Sequence, residues 1–397
     1  MDRLDNPYRP GAGTAPPALI GRDELIDAFG VTIRRALDGR PGKSYMPIGL
    51  RGVGKTVLLN RFAEIADQEG VEVAFIEAPE TGDFRTLLAI RLRKILFRLN
   101  ADGPARRAIN RALGVLRSFA YQLPDGSSIV INVDALAGAA DSGVLAEDLT
   151  DVLVAVGEAA LKDKTGLLLA IDEVQYLAAE ELAALITAVH RTTQLDLPVV
   201  LVGAGLPQLP GLAGDAKSYA ERLFEFPVIG SLEQEDAATA IEVPAAGLGV
   251  RYQPDAVKRI VLESRGYPYF LQEWGYHVWN LADASPITAD DVTAARPFVI
   301  DQLDRNFFLV RLDRLTPKEK DYLRAMAELG PGPHRSGDIA TKLGVRVESV
   351  APRRSGLIVK GISTAQRTAT QPSPCRSSTS SLCERFPPDL RDSSGLS

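Results

Sequence analysis

The chain has 397 residues, of which 45% are hydrophobic and 24% charged, with a formal net charge of -6 and a sequence pI near 5.4. This composition predicts a soluble globular protein of two or three domains, and its acidic balance argues against nucleic-acid binding over the whole surface. Both cysteines, Cys375 and Cys383, lie near the end of the sequence and the three histidines are scattered, which excludes a disulfide framework and a structural zinc site.

Charge is unevenly distributed along the sequence. Residues 296–362 contain 13 Lys and Arg against 8 Asp and Glu, whereas residues 1–295 contain 28 against 40. A modestly basic module therefore follows an acidic body. The sequence has neither a basic head with an apolar run at its start nor an apolar stretch long enough to span a bilayer, so we expect a cytoplasmic protein with no membrane segment.

The first predicted elements are an extended arm and a helix. Residues 1–18 contain four prolines and several glycines, which predicts an arm with no helix or strand of its own. The segment at residues 19–25, which includes Ile20, Gly21 and Arg22, starts a helix that runs to about residue 37.

A phosphate-binding loop is predicted at residues 47–59, where a short apolar run meets an amphipathic helix through a glycine-rich turn. Glycines permit backbone dihedrals closed to other residues, so consecutive amide groups can converge on phosphate oxygens at the positive end of the helix. Lys55 would contact the β- and γ-phosphates and the Thr56 hydroxyl would bind Mg²⁺. A flexible surface turn is the alternative. The residues predicted to bind the nucleotide are Gly49, Gly52, Val53, Gly54, Lys55, Thr56 and Val57.

The next predicted elements are a strand at residues 71–77 and a basic amphipathic helix at residues 86–99. The basic side chains of this helix could contact nucleic acid or form a solvated face. Residues 100–145 are less regular, with a hairpin predicted near residues 129–133, and their role is not predicted.

A buried acidic strand is predicted at residues 166–173, after an amphipathic helix at residues 145–161. An apolar run that ends in two carboxylates is typical of a parallel strand whose carboxyl end meets a ligand. Asp172 would hold Mg²⁺ through water and Glu173 would polarise the attacking water. The alternative is that both acids cap the following helix.

Downstream of the acidic strand, the pattern predicts one more buried strand and then mainly helices. The strand at residues 198–202 is followed by Gly203-Ala204-Gly205, and Arg222 lies in the segment after it. Residues 231–291 have helical patterns, and one of these helices begins at Gly266-Tyr267-Pro268.

A helix-turn-helix pattern follows at residues 316–362. Its first helix begins at Thr316-Pro317-Lys318-Glu319, and the order helix, turn, short helix, Gly, helix is the outline of a winged helix. Docking of another protein is the alternative to DNA binding. The residues predicted to contact DNA are Arg346, Arg353, Arg354 and Lys360.

The composition changes abruptly after Ile362, where the wing strands should follow. Residues 363–397 are predicted to be a disordered tail or the product of a frameshift that replaced the wing. The frameshift hypothesis predicts exposed apolar surface at Leu357 and Ile358.

Together these motifs, in one order over residues 19–362, resemble AAA+ and STAND-type ATPases of the archaeal-ATPase and origin-recognition kind. The resemblance implies an α/β fold in which a P-loop NTPase parallel sheet core is combined with a helical lid and a C-terminal winged-helix domain. The implied domains are an arm (1–18), an ATPase core (19–230), a lid (231–295), a winged helix (296–362) and a tail (363–397).

The resemblance also assigns roles to residues outside the two main motifs. Ile20, Gly21 and Arg22 would line the adenine pocket, Pro268 would pack near the adenine, and Arg222 would respond to the γ-phosphate as a catalytic residue. The alternatives are an ordinary helix start for the first segment, a purely structural proline at a helix start for Pro268, and a surface salt bridge with Glu221 or Glu225 for Arg222. The strand-end position that senses the γ-phosphate in related ATPases falls on Gly203-Ala204-Gly205, which has no suitable side chain, so the role is vacant or passes to a neighbour such as Gln208.

The expected function is Mg-dependent ATP hydrolysis that couples nucleotide state to a DNA-binding winged helix. The expected cofactors are ATP and Mg²⁺, and the expected partners are ATP or ADP, duplex DNA and further copies of the chain. The alternative is a STAND-like signalling switch or scaffold with little turnover, whose winged helix docks protein.

Overall fold

The computed structural model describes residues 1–11, 13–100, 103–123, 129, 131–330 and 334–362. The chain forms two compact units. The sheet unit comprises Arg22–Gly49 and Gly54–Ile229, and the helical unit comprises Met1–Gly21, Leu50–Val53 and the chain from Gly230 onward. The domain boundaries given above stay a prediction.

The sheet unit is built on five parallel strands in the order β2-β3-β4-β1-β5. The strands are β1 (Ser44–Tyr45), β2 (Glu72–Glu77), β3 (Leu167–Asp172), β4 (Val199–Gly203) and β5 (Phe224–Glu225). Every residue of β3 and β4 is buried, which explains why these strands read as continuous apolar runs. The predicted parallel sheet is confirmed.

Eight helices of the sheet unit surround this sheet in the described chain. They are α1 (Asp23–Leu37), α2 (Lys55–Gln68), α3 (Phe84–Arg98), α4 (Gly103–Tyr121), α5 (Leu145–Lys162), α6 (Ala179–Gln194), α7 (Leu209–Ala216) and α8 (Ala220–Leu223). On the basic helix α3, Arg85 pairs with Asp83 at 2.9 Å and Arg98 with Glu72 at 2.6 Å, so part of its charge is neutralised within the unit.

Helix α4 corrects the expectation that residues 100–145 are irregular. It is 19 residues long, and Ile109, Leu113 and Leu116 recur at helical spacing and are buried. The expected hairpin falls partly on residues outside those described, and residues 131–133 have no strand structure.

The helical unit contains the three helices predicted for residues 231–291 and continues in helices to the end of the described chain. Its elements are α9 (Gln234–Ala246), α10 (Pro254–Ser264), α11 (Pro268–Leu281), α12 (Ala289–Leu303), a π-helix (Asp304–Leu309), α13 (Val310–Asp313), α14 (Pro317–Glu328), α15 (Ser336–Leu343) and α16 (Val350–Val359).

The described residues of the N-terminal arm, 1–11 and 13–18, form no helix or strand, as predicted, and the arm is anchored within the helical unit. Tyr8 is 2% exposed, and its hydroxyl donates a hydrogen bond to the carbonyl of Ile241 at 2.6 Å. Its ring packs edge-on to Trp279 and contacts Gly275, where a Cβ would collide with the ring. Burial of this aromatic side chain fixes the arm against α9 and α11.

Helices α14, α15 and α16 enclose a small core of their own that includes Tyr322, Ile339, Val350 and Leu357. Leu357 is completely buried, so the expectation that it is exposed was wrong: α16 extends to Val359 and turns this side chain inward. Residues 363–397, on which the wing and tail predictions fall, lie outside the described residues. The described residues contain three helices at the place of the predicted winged helix, and the winged helix itself stays a prediction.

None of the described helices combines the length and the apolar composition that a bilayer span requires.

Candidate nucleotide site

The strand order brings the start of the phosphate loop and the acidic strand to one edge of the sheet. β4 lies between β1 and β3, and hydrogen bonds continue beyond the strand ends. The Gly49 amide donates to the Gly205 carbonyl at 3.1 Å, and the Ala204 amide donates to the Ile171 carbonyl at 2.8 Å. The carboxyl ends of parallel strands are where open α/β sheets bind ligands.

The phosphate loop has the backbone that its glycines predict. Gly52 has φ +89° and Gly54, which precedes the first residue of α2, has φ +94°. Among the described residues, no protein acceptor binds the amide groups of Gly52, Val53 or Gly54. A helix N-terminus with uncapped amides attracts anions.

Within the sheet unit, Thr56 and Asp172 are in direct contact. The Thr56 hydroxyl donates to Asp172 Oδ2 at 2.6 Å, and the Glu173 amide donates to Asp172 Oδ1 at 2.8 Å. Asp172 is 4% exposed and Lys55 is 5% exposed. Burial raises the pKa of Asp172, while the Thr56 and Glu173 bonds and the charge of Lys55 act in the opposite direction.

These two oxygen side chains fit Mg²⁺, which prefers hard oxygen ligands and is usually held by one or two carboxylates together with substrate phosphates. A buried carboxylate with raised pKa gains from a nearby cation. No cluster of three or more His, Cys, Asp or Glu residues suited to a metal occurs in the described part of the chain.

Glu173 lies in a left-handed backbone conformation, with φ 53° and ψ 41°, directly after β3. The Gln175 side-chain amide donates to Glu173 Oε2, and its oxygen accepts the amide hydrogen of Leu206 at 3.0 Å. Sequence reasoning missed Gln175. The available signal was a polar residue two positions after the acidic pair, between Val174 and Tyr176.

The end of β4 is packed too closely to carry side chains. A Cβ on Gly203 would lie 2.8 Å from Val174 Cγ2, and one on Gly205 would lie 2.9 Å from Gln175 Oε1. The neighbouring Gln208 has a buried Oε1 that finds no hydrogen-bond partner among the described residues.

Arg222 lies in α8 of the sheet unit and is exposed. Ion pairs with Glu221 or Glu225, the alternative for this residue, are absent from the described residues. Arg22, the N-cap of α1, and Val57, in the first turn of α2, belong to the same unit.

The remaining nucleotide-site residues belong to the helical unit. Gly21 has φ +71°, and a Cβ there would lie 2.6 Å from Asp236 Oδ2, so the segment that contains Ile20 and Gly21 lies against α9. Pro268 is the first residue of α11. The Tyr269 amide donates to the Gly52 carbonyl at 3.2 Å, which fixes the tip of the phosphate loop within this unit.

The four basic residues predicted to contact DNA differ in their surroundings. Arg346 is exposed before α16, and Arg353 and Arg354 are half-buried within it. Lys360 forms an ion pair with the buried Glu319 at 2.6 Å. This ion pair gives Lys360 a structural contact that the sequence did not reveal.

Two family models match the sequence. Residues 18–202 match the AAA ATPase domain, and residues 305–370 match a Domain of unknown function (DUF8462). None of the curated proteins compared with the chain matches it.

Several solved structures resemble the chain. A Walker-type ATPase of Pyrococcus abyssi has a TM-score of 0.60 and 16% identity over 94% of this chain and 98% of that chain. The Thermotoga maritima RuvB Holliday junction branch migration motor has a TM-score of 0.45 and 17% identity, over 88% of this chain and 91% of that one. The Aeropyrum pernix ORC1 protein in complex with DNA has a TM-score of 0.44 and 17% identity, over 93% and 94%. The first of these supports the P-loop fold.

Proposed function

We propose that this protein binds ATP with Mg²⁺ and hydrolyses it, because residues 18–202 match the AAA ATPase domain. The observation that carries the proposal is the hydrogen bond between Thr56 and the buried Asp172 beside the N-terminus of α2. The alternatives were a flexible surface turn for the phosphate loop and helix capping for the acidic pair. Neither alternative accounts for a hydrogen bond between Thr56 and Asp172.

Phosphoryl transfer requires mainly positioning and charge stabilisation from the protein. The loop amides that lack a protein acceptor and the Lys55 ammonium would neutralise the triphosphate, and Thr56 and Asp172 would hold Mg²⁺. Bound Mg²⁺ would supply charge neutralisation on the phosphate oxygens. Glu173 would accept a hydrogen bond from the attacking water and orient it.

The test separates binding from turnover. We expect Lys55→Ala to lose ATP binding, because the only buried ammonium of the loop is removed, and Glu173→Gln to bind ATP normally while turnover falls by about 100-fold or more. Binding is measured by titration with a fluorescent ATP analogue, and turnover by phosphate release with and without Mg²⁺. The proposal fails if Glu173→Gln hydrolyses ATP at the parental rate.

We further propose that the C-terminal helices bind duplex DNA and that nucleotide state controls this binding. Arg346, Arg353 and Arg354 support the proposal, because they lie at or on the third helix of the predicted helix-turn-helix and none is buried. Lys360 is left out of the contact set because Glu319 holds it.

A salt titration of duplex binding tests the DNA proposal. Each neutralised phosphate contributes about -0.9 to the slope of log K against log salt, so three arginines predict a slope of roughly -3. Arg346→Ala/Arg353→Ala should reduce this slope by about 2 and leave ATP turnover unchanged. Arg40→Ala is the matched control, because Arg40 is an exposed arginine of the sheet unit that pairs with Asp38.

The second candidate is a signalling switch or scaffold with slow turnover, whose C-terminal helices dock protein. The glycines at the end of β4 favour it, because they offer no side chain to the γ-phosphate. A flat salt slope together with tight ATP binding and very slow turnover would select this second function.

A further inference from the structure

Gln175 is connected to the proposed catalytic acid and to the neighbouring strand. Its amide group donates to Glu173 Oε2, and its oxygen accepts from Leu206, which follows β4. The backbone repeats this connection, because the Val174 amide donates to the Ala204 carbonyl at 2.9 Å. Both polar atoms of the Gln175 side chain are therefore hydrogen-bonded, the nitrogen to the residue after β3 and the oxygen to the segment after β4.

The side chain of the same glutamine lies next to Gly205. A Cβ at Gly205 would lie 2.9 Å from Gln175 Oε1, which is closer than real Cβ contacts, and 2.9 Å from Leu209 Cδ2. The Gln175 side chain thus occupies the space into which a strand-end side chain would project. The polar group at this place therefore comes from the turn after β3.

Glu173 requires a hydrogen bond that fixes the position of its carboxylate. Its backbone is left-handed, a conformation that is unfavourable for a non-glycine residue and persists only where the surroundings fix it. A carboxylate that orients water must also be held within a fraction of an ångström of its working position. Among the described residues, Gln175 provides the side-chain hydrogen bond to the Glu173 carboxylate.

We propose that Gln175 is the positioning residue of this ATPase: it fixes the Glu173 carboxylate and takes the strand-end place left vacant by Gly205. This inference rests on the proposed ATP hydrolysis. It explains how hydrolysis can proceed although Gly203-Ala204-Gly205 lacks a polar side chain. It also assigns the role of the polar strand-end residue to Gln175 and not to Gln208.

The test uses the full chain with Gln175→Ala and with Gln175→Met, which keeps the length of the side chain and removes its hydrogen bonds. We expect both to lower kcat about 10- to 100-fold while the ATP Kd and the Tm change little, because a misplaced catalytic group affects turnover and not binding. Gln194→Ala, which removes an exposed glutamine at the end of α6, is the control and should be unchanged.

A double-mutant cycle with Glu173→Gln distinguishes positioning from a separate contribution. In single-turnover assays, Gln175→Ala should cause little further loss in the Glu173→Gln background, since the group that it positions is already disabled. Additive losses, or a Gln175→Met variant with parental kcat, would overturn the inference about Gln175. Parental turnover by Glu173→Gln alone would instead refute the proposed hydrolysis mechanism, so the two failures are distinguishable.

Discussion

Gly52 and Gly54 of the phosphate loop have similar left-handed backbones but different surroundings. Gly54, at φ +94°, has no atom within 4 Å of the position that a Cβ would take. At Gly52, with φ +89°, that position lies 3.2 Å from Tyr269 Cβ and 3.3 Å from atoms of Phe307 and Tyr267. Gly54 is thus required by its dihedral alone, whereas Gly52 is also required by packing.

This difference predicts unequal costs for two alanine substitutions. In both variants the left-handed backbone destabilises the folded state by about 1 kcal/mol, and in Gly52→Ala overpacking adds about 1 kcal/mol or more. We therefore expect Gly52→Ala to lower the free energy of unfolding of the nucleotide-free protein by about 2 kcal/mol and Gly54→Ala by about 1.

Urea unfolding of the two variants without nucleotide measures these costs. Equal destabilisation of the two variants would contradict this prediction, because it would mean that the aromatic side chains around Gly52 move aside without a loss of stability. Both variants should bind ATP more weakly than the parent, because both distort amides that would contact phosphate.

At the scale of elements, one buried carboxylate connects both ends of the C-terminal helical module. Glu319 accepts hydrogen bonds from the Thr316 amide at 2.8 Å and from Lys360 at 2.6 Å. Burial acts to raise the pKa of Glu319, but the bonds from Lys360 and Thr316 outweigh it and hold the pKa below the ordinary 4.5. This carboxylate therefore caps the start of α14 and, through its ion pair with Lys360, fixes the end of α16.

A pKa that is lower in the folded state gives stability that is present above the unfolded pKa and is lost as pH falls through the folded value. We therefore expect helices α14 to α16 to lose stability as pH falls below about 4.5. At neutral pH, Glu319→Gln should destabilise them by about 1–2 kcal/mol and flatten the acid dependence.

Hydrogen exchange of α14 and α16 over this pH range measures the effect. Glu328→Gln is the matched control, because Glu328 pairs with Lys342 at 3.0 Å on a more exposed surface, where an ion pair contributes little. If the two variants behave alike, the ion pair of Glu319 has no special structural role.

At the scale of the whole molecule, the role predicted for Arg222 at the γ-phosphate can be tested together with the predicted assembly of several copies of the chain. Arg222 is exposed and lacks an ion pair among the described residues. A guanidinium suits the delocalised charge of a transferring phosphoryl group. We propose that Arg222 of one copy responds to the γ-phosphate bound by another copy.

This proposal predicts that turnover per chain rises with protein concentration as copies assemble. Arg222→Ala should lower the assembled rate by about 100-fold or more and leave ATP binding to dilute protein unchanged. Arg191→Ala is the control, since Arg191 is an exposed arginine of α6. Turnover that is independent of concentration and insensitive to Arg222→Ala would leave Arg222 as an ordinary surface residue.

The sequence by itself determined the parallel sheet and the two motifs at its edge. Local chemistry is sufficient there: glycine spacing before Lys55-Thr56 sets the loop, and an apolar run before Asp172-Glu173 is typical of a buried parallel strand. The three helices predicted for residues 231–291 were found for the same reason, because helix starts and apolar periodicity are local signals.

The tertiary structure alone decided which residues contact one another outside these local patterns. Gln175 contacts Glu173 and Leu206, the arm residue Tyr8 packs against Gly275, and Lys360 pairs with Glu319. Two of these pairings, and the contact with Leu206, join residues distant in the sequence, and no periodic pattern records them. Their energies come from burial and hydrogen-bond geometry, which exist only once the chain has folded.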